Sequence, residues 1–330
     1  MLGEEVSAFE DEFARYMGSK HCIGVGNGLD ALVLSLEALD MPIDSEVLVA
    51  TKTYIATILA ILWTGRRPVL VEPDPETFNI DPSRLPAAIS SKVGAICITH
   101  LFGKPCHIDM ITAFAVEHGL KLIEDCAQLH GAKFNGKMTG TFSNAGCFSF
   151  YTAKNLGAMG DARAFVTDDD VLADRLRHAR NYCSKRKYVN DYVKLNSRLD
   201  EIQAAMLRVK LAHLDRMTAH KRALAEIYFE HLPSWVTRPV CRADEHDVFH
   251  IFGIRCSRRD ALRQHLLEHG VKMVIDYPIT PRRQRAMAGI LSGEFPITDE
   301  LHATELSLPI SCGHGVNDVV RICHAMIGFE

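Results

Sequence analysis

The chain has 330 residues, 47% of them hydrophobic and 24% charged, with a formal net charge of -4. That length exceeds what one hydrophobic core organises, so a large domain plus a smaller one is expected. The charge balance gives no reason to expect nucleic acid or an anionic membrane as partner. No apolar run reaches the ~20 residues of a membrane span.

The acidic, helix-patterned opening MLGEEVSAFEDEF is neither a signal peptide nor a transit peptide, so a cytoplasmic protein is expected. Ten cysteines are scattered with no C-x-x-C pair, a pattern of reduced thiols packing as small hydrophobes.

From residue 20 to 170, short β-rich runs alternate with helical ones. The strand candidates are His21–Val25, Glu46–Ala50, Pro68–Glu72, Val93–Thr99, Lys121–Glu124, Gly146–Phe150 and Ala164–Thr167. Most are apolar throughout, as strands buried on both faces are. Leu29–Leu39, Tyr54–Thr64 and His107–His118 read as helices, the last closed by Gly119 as C-cap. This alternation predicts an α/β domain on a mainly parallel sheet flanked by helices.

A long helical pattern follows from Leu199 to His231, with Ile202, Ala205, Met206, Val209 and Ala212 at helical spacing. Pro233 and Pro239 then punctuate the chain. Val248–Arg255, Arg259–His269, Val271–Ile275 and a final helix from Val316 predict a small C-terminal α+β domain. The expected division is residues 1–232 and 233–330.

Four segments at strand ends carry candidate chemistry, because ligands of open α/β sheets bind beyond the carboxyl ends of strands. Gly24-Val25-Gly26-Asn27-Gly28-Leu29-Asp30 runs from a strand into a helix. Its glycines let backbone approach an anion, and a helix start offers free N–H groups to phosphate. It matches neither the dinucleotide fingerprint nor a Walker A loop, which removes a Rossmann dehydrogenase from the front rank.

Asp125, in Ile123-Glu124-Asp125-Cys126-Ala127-Gln128, ends an apolar strand. A carboxylate there binds metal, caps a helix or holds a cationic ring nitrogen. In Cys147-Phe148-Ser149-Phe150-Tyr151-Thr152-Ala153-Lys154-Asn155-Leu156-Gly157 a strand delivers a serine and then a lysine among apolar and small residues. Desolvation there lowers the lysine pKa and makes the amine nucleophilic. Leu195-Asn196-Ser197-Arg198-Leu199-Asp200 opens the long helix, and by itself reads equally as an ordinary capped helix start.

Taken in order, these segments resemble the DegT/DnrJ/EryC1/StrS sugar aminotransferases, within the aspartate-aminotransferase fold (pyridoxal-phosphate, PLP, fold type I). The resemblance runs from Leu2-Gly3-Glu4-Glu5-Val6 to Leu306-Ser307-Leu308-Pro309. GVGNGLDAL, IEDCAQ with HGA, SFYTAKNLGAMGD and NSRLDEIQAA are its most specific stretches.

The resemblance implies PLP as cofactor and gives each residue a role. Lys154 would carry PLP covalently and then move a proton between the substrate carbon and the cofactor's C4′. Asp125 would pair with the pyridine nitrogen and keep it protonated. Gln128 would hydrogen-bond the phenolic oxygen and Tyr54 would stack on the ring. Gly28, Leu29 and Asp30 would give backbone N–H groups to the phosphate, together with the Ser149 hydroxyl. Asn196 would reach the phosphate across a homodimer interface, so each site would need two chains.

Asn181-Tyr182-Cys183-Ser184-Lys185-Arg186-Lys187-Tyr188, with the glycine-rich run, resembles the subgroup that aminates C3 of nucleotide-linked keto-sugars. The implied reaction takes glutamate as donor and makes a dTDP-3-amino-3,6-dideoxyhexose. Tyr182, Ser184, Tyr188 and His250 are then candidate substrate contacts; Tyr188 reads equally as interface packing and His250 as a buried structural histidine. No metal is implied.

The chain departs from the family pattern in four places. Family members carry a further arm ahead of Leu2-Gly3-Glu4-Glu5-Val6, expected to help shape the site and the dimer. Two glycines usually follow Gly160-Asp161, where this chain has Ala162-Arg163. A histidine is usual at Asp276, and a glycine at Cys183.

Two other readings stand beside the aminotransferase. PLP-dependent sugar dehydratases resemble the chain but carry histidine at the lysine position, so Lys154 speaks against that activity. A non-catalytic PLP-fold regulator or scaffold draws on the absent arm and Ala162-Arg163. Against it stands the full set Asp125, Gln128, Ser149, Lys154 and Asn196.

Overall fold

The computed structural model describes residues 2–186, 189–190 and 195–329. In chain order the main elements are α1 (Glu4–Met17), β1 (His21–Val25), α2 (Gly28–Ala38), β2 (Glu46–Ala50), α3 (Ile55–Trp63) and β3 (Arg67–Val71). Then come β4 (Val93–Thr99), α4 (Ile108–Glu117), β5 (Lys121–Asp125), β6 (Ala145–Ser149), β7 (Arg163–Thr167) and α5 (Asp170–Ala179). The rest is α6 (Glu201–Leu211), α7 (Leu214–His231), β8 (Phe252–Arg255), α8 (Arg259–Glu268), α9 (Pro296–Thr304), β9 (Glu305–Leu308) and α10 (Val316–Ile327).

The first seven strands form one sheet in the order β1-β7-β6-β5-β4-β2-β3. Only β7 runs antiparallel to its neighbours. The apolar runs divide between two cores because strand side chains alternate faces. Val47 and Val49 join the core beneath α2 and α3, while Leu48 and Ala50 join the opposite one with Ile96 and Ile98. Both layers are covered, which is why the strands show no polar alternation.

The expected long helix from Leu199 to His231 is two helices. His213, at φ -115°, breaks the ladder between α6 and α7. Neither glycine nor proline marks that break; α6 packs on α1, and α7 on α10, so the chain turns where its partner changes. The face α6 buries is Ala204, Leu207 and Leu211. Of the stripe singled out in the sequence, Ile202, Val209 and Ala212 point outward, the first two 72% and 65% exposed, while Ala205 and Met206 are half-buried.

A separate core joins Leu224, Tyr228 and Leu232 of α7 to β8, β9, α8 and α10. The expected strand Val271–Ile275 is only an isolated bridge, Val274 to Ser307. Val248–Arg255 is extended only from Phe252, because Phe249 takes a positive φ of 42°. Gly103 is obligatory beneath that bend: it sits at φ +88°, and a Cβ would lie 2.6 Å from the His250 nitrogen. All ten cysteines are free, and no described helix is long and apolar enough to cross a membrane.

Candidate active site

Asp125 closes β5 with its carboxylate buried and held from two sides. Oδ2 accepts the Thr57 hydroxyl at 2.9 Å and Oδ1 accepts the Ala127 N–H at 3.2 Å. Thr57 lies in the first turn of α3 and in turn accepts from Thr53 at 3.2 Å. Both carboxylate oxygens are thereby oriented before any ligand arrives.

Lys154 follows β6 in a tight turn, its N–H donating to the Tyr151 carbonyl at 2.8 Å. Gly157 lets that turn close, since a Cβ there would stand 2.4 Å from the Thr152 oxygen. Burial pushes the Lys154 amine down to about 8; the Asp125 charge opposes this and the Arg163 charge adds to it. The amine therefore stands within electrostatic reach of Asp125, largely withdrawn from solvent.

Gln128 is fixed at both ends of its amide. Its Oε1 accepts the Phe102 N–H at 2.6 Å and its Nε2 donates to the Tyr277 hydroxyl at 2.7 Å. The Tyr277 ring lies 5.4 Å from that of Tyr54, which is half-exposed at the head of α3. Ser149, buried at the end of β6, accepts the Tyr151 N–H at 3.4 Å. Its hydroxyl proton has no acceptor among the described residues.

His250 packs against Asn155, the residue after Lys154, with Nδ1 3.3 Å from the Asn155 side-chain oxygen Oδ1. Burial, then the positive charges of Lys154 and Lys221, hold its pKa well below the usual histidine value. Lys221 donates to the same Asn155 oxygen at 2.9 Å. On the far side, Asp276 accepts the Ser307 hydroxyl at 2.5 Å. Beyond His250 and Asp276 opens a cleft of about 500 Å³ bordered by Val271, Ile310 and Arg321.

The glycine-rich run differs from expectation. Asn27 caps α2, and its Oδ1 takes the Leu29 and Asp30 N–H groups, both at 3.1 Å. The Asn27 amide also donates to the Asp30 carboxylate at 2.7 Å. Of the three amides expected to face a phosphate, those of Leu29 and Asp30 are thus committed to Asn27. Gly24 and Gly26 serve packing: a Cβ at Gly24 would lie 2.9 Å from Leu199, and one at Gly26 would lie 3.3 Å from the Arg198 carbonyl. These glycines seat the NSRL segment against β1.

Asn196 is exposed, bridged through its backbone to Asn181, and its side chain makes no hydrogen bond with the Asp125 group. Tyr182 is also exposed, and Ser184 opens a two-stranded ribbon beside it. Tyr188 lies outside the described residues. Thr57 and Tyr277 went unrecognised in the sequence. Thr57 is one helical turn after Tyr54, a spacing that pointed to it; Tyr277 reaches the site only through the small core's loop.

Two of the departures now have a physical reading. Ala162 and Arg163 are not in the left-handed region, so their backbone carries no glycine-type strain. Cys183 is, at φ +53°, following Tyr182 at +56°, a conformation costing roughly 1–2 kcal/mol per non-glycine residue. The buried His100, Glu124 and Cys126 lie close together, yet Glu124 accepts the Gly140 and Phe142 N–H groups at 2.7 and 3.0 Å and His100 accepts that of Cys106 at 2.9 Å. That group braces the strand behind Asp125.

The family model for DegT/DnrJ/EryC1/StrS aminotransferases matches residues 1–327. A dTDP-3-amino-3,6-dideoxy-alpha-D-galactopyranose transaminase of Aneurinibacillus thermoaerophilus is 45% identical, covering 99% of this chain and 90% of its own. The crystal structure of S. venezuelae DesV in complex with a ketimine intermediate superposes at a TM-score of 0.96, with 41% identity over 98% of this chain and 89% of that one. The structure of ntda from Bacillus subtilis with bound cofactor PMP gives 0.92, with 26% identity over 98% and 77%. The chain belongs to the DegT/DnrJ/EryC1/StrS aminotransferase family.

Proposed function

We propose that this enzyme uses PLP to move an amino group from glutamate to C3 of a dTDP-linked keto-6-deoxyhexose. The observation that carries the reading is the Lys154 amine, depressed toward neutrality beside the braced Asp125 carboxylate. The name of the 45% identical relative supports the sugar and the carbon. The residues fit the group: a nucleophilic amine, a buried carboxylate, an open aromatic face on Tyr54 and an undonated Ser149 hydroxyl.

When bound, PLP supplies an electron sink for the pair left as a substrate C–H bond breaks. The rest falls to the chain. At pH 7 a pKa near 8 in place of 10.5 raises the uncharged fraction of Lys154 roughly 300-fold, enough for it to attack a carbonyl and then shuttle a proton. Asp125 offers a fixed anion to a ring N–H, and Thr57 keeps it from turning. Gln128 can donate its second amide hydrogen to a phenolic oxygen, while Tyr54 and Tyr277 wall off water. His250, held well below its usual pKa, does not compete with Lys154 for that proton near neutral pH.

Tyr182, Ser184, Tyr188 and His250 would contact the sugar nucleotide, and Asn196 would reach the phosphate of a second copy. Support for a homodimer comes from the outward apolar stripe of Ile202 and Val209 on α6, next to exposed Asn196. The two parts, 1–232 and 233–330, would meet at the site through Gln128 and Tyr277.

The test is purified protein mixed with PLP, glutamate and a dTDP-3-keto-6-deoxyhexose. Visible absorption from lysine-bound PLP and an amino-sugar product are expected, both lost in Lys154→Ala. Deoxygenation of the sugar without amine formation would overturn the transaminase reading. Light scattering that finds a monomer would overturn the dimer.

A further inference from the structure

Antiparallel register places Arg163 of β7 opposite Ser149 of β6 on one side and Val25 of β1 on the other. Residues paired across strands share a face of the sheet. Arg163 therefore points to the side of Ser149, one row beyond Cys147, which pairs with Asp125. Its charge reaches Asp125, Asp161 and Tyr54, so the guanidinium lies on the Asp125 side of the sheet. Among the described residues it makes no hydrogen bond and no ion pair within 4.0 Å. A part-buried guanidinium without a partner is costly, unless a ligand completes it.

The phosphate end of the site has the opposite deficit. Two of its three backbone donors are spent on Asn27, and the Asp30 carboxylate stands in the same turn. The Ser149 hydroxyl is a neutral donor and brings no counter-charge to a dianion. A guanidinium forks onto phosphate oxygens with charge-assisted bonds, and one is at hand in the same row as Ser149.

We propose that Arg163 is the cation that binds the phosphate group of the cofactor, completing with Ser149 an anion site. This rests on the reading that PLP lies between Asp125 and Lys154. The rival arrangement turns Arg163 onto Asp125, where it competes with the ring nitrogen. Asp125 already has Thr57 and Ala127, and the guanidinium stays more than 4.0 Å from it.

The experiment titrates the apoprotein with PLP and, separately, with pyridoxal, which lacks the phosphate, following visible absorption. Arg163→Gln should weaken PLP about 10- to 100-fold, as loss of a charged hydrogen bond does, and leave pyridoxal unchanged. Arg163→Lys should fall between. Inorganic phosphate should compete with PLP in the native protein and lose that effect in Arg163→Gln. Pyridoxal binding also reports that the variant is folded.

Unchanged PLP affinity, equal weakening of both ligands, or tighter PLP binding in Arg163→Gln would overturn the assignment, the last in favour of pairing with Asp125. Native protein whose absorption does not depend on Lys154 would instead sink the underlying cofactor reading.

Discussion

Thr57 donates its hydroxyl to Asp125 at 2.9 Å from the first turn of α3, on the helix that Tyr54 heads. One helix thus carries both the aromatic wall of the site and the brace for its carboxylate. Thr57→Val keeps the shape and removes the donor, leaving a buried carboxylate oxygen short of one partner. A hydrogen bond to a charged group contributes about 1.5–3 kcal/mol. Cofactor affinity should fall roughly 10-fold or more, read by absorption titration, while Thr57→Ser retains most of it. Equal affinity in Thr57→Val and the native protein would refute the brace.

Much of this site was legible in the sequence, because strand ends announce themselves. Asp125 and Ser149 each follow a run of apolar residues with nowhere to go but the sheet, and Lys154 follows in the next turn. The sheet needed no tertiary information, since its strands are buried on both faces. The outward turn of Ile202 and Val209 was not legible, because an apolar stripe looks the same whether it faces a core or a second surface. The spending of the Leu29 and Asp30 amides on Asn27 was also hidden, although asparagine is a strong N-cap. A capped helix start and a phosphate cradle share one sequence signature.

The contacts of Gly24 and Gly26, at the head of the glycine-rich run, assign them to packing, which makes a graded prediction. A Cβ at Gly24 would lie 2.9 Å from both Leu199 Cβ and Cδ2, whereas at Gly26 the nearest atoms are at 3.3–3.5 Å. Overpacking of this kind costs about 1–3 kcal/mol. Gly24→Ala should therefore lower Tm clearly, and Gly26→Ala less. The order is checked by thermal unfolding of the apoprotein; a larger loss at Gly26 would contradict the packing argument.

His130 is buried among Phe148 and Phe150, and burial first, then the charge of Lys154, lowers its pKa to about 3. The unfolded chain binds this proton near pH 6.5, so between 6.5 and 3 the unfolded state holds more protons and stability falls with falling pH. Above 6.5 the effect is absent. The full penalty is on the order of 3–5 kcal/mol at the acid end. His130→Phe should resist acid better, with urea midpoints gaining on the native protein at pH 4 relative to pH 8. An identical difference at both values would show that the ring does not titrate as argued.

Lys154 should leave the same kind of mark at the alkaline end, in the apoprotein. Its folded pKa is about 8 against 10.5 when unfolded, so the unfolded state binds more protons between those values and stability rises with pH across that window. Below pH 8 the buried charge is a standing cost, up to about 3 kcal/mol. Lys154→Met removes the charge and keeps most of the volume, so it should be the more stable protein at pH 7, with the gap closing toward pH 10.5. Cofactor binding reverses the order, because the lysine chain binds the ligand more tightly and gains more from it. Denaturant melts with and without PLP at pH 7 check both halves, and a methionine variant stabilised by PLP as much as the native protein would mean that the amine is not what holds it.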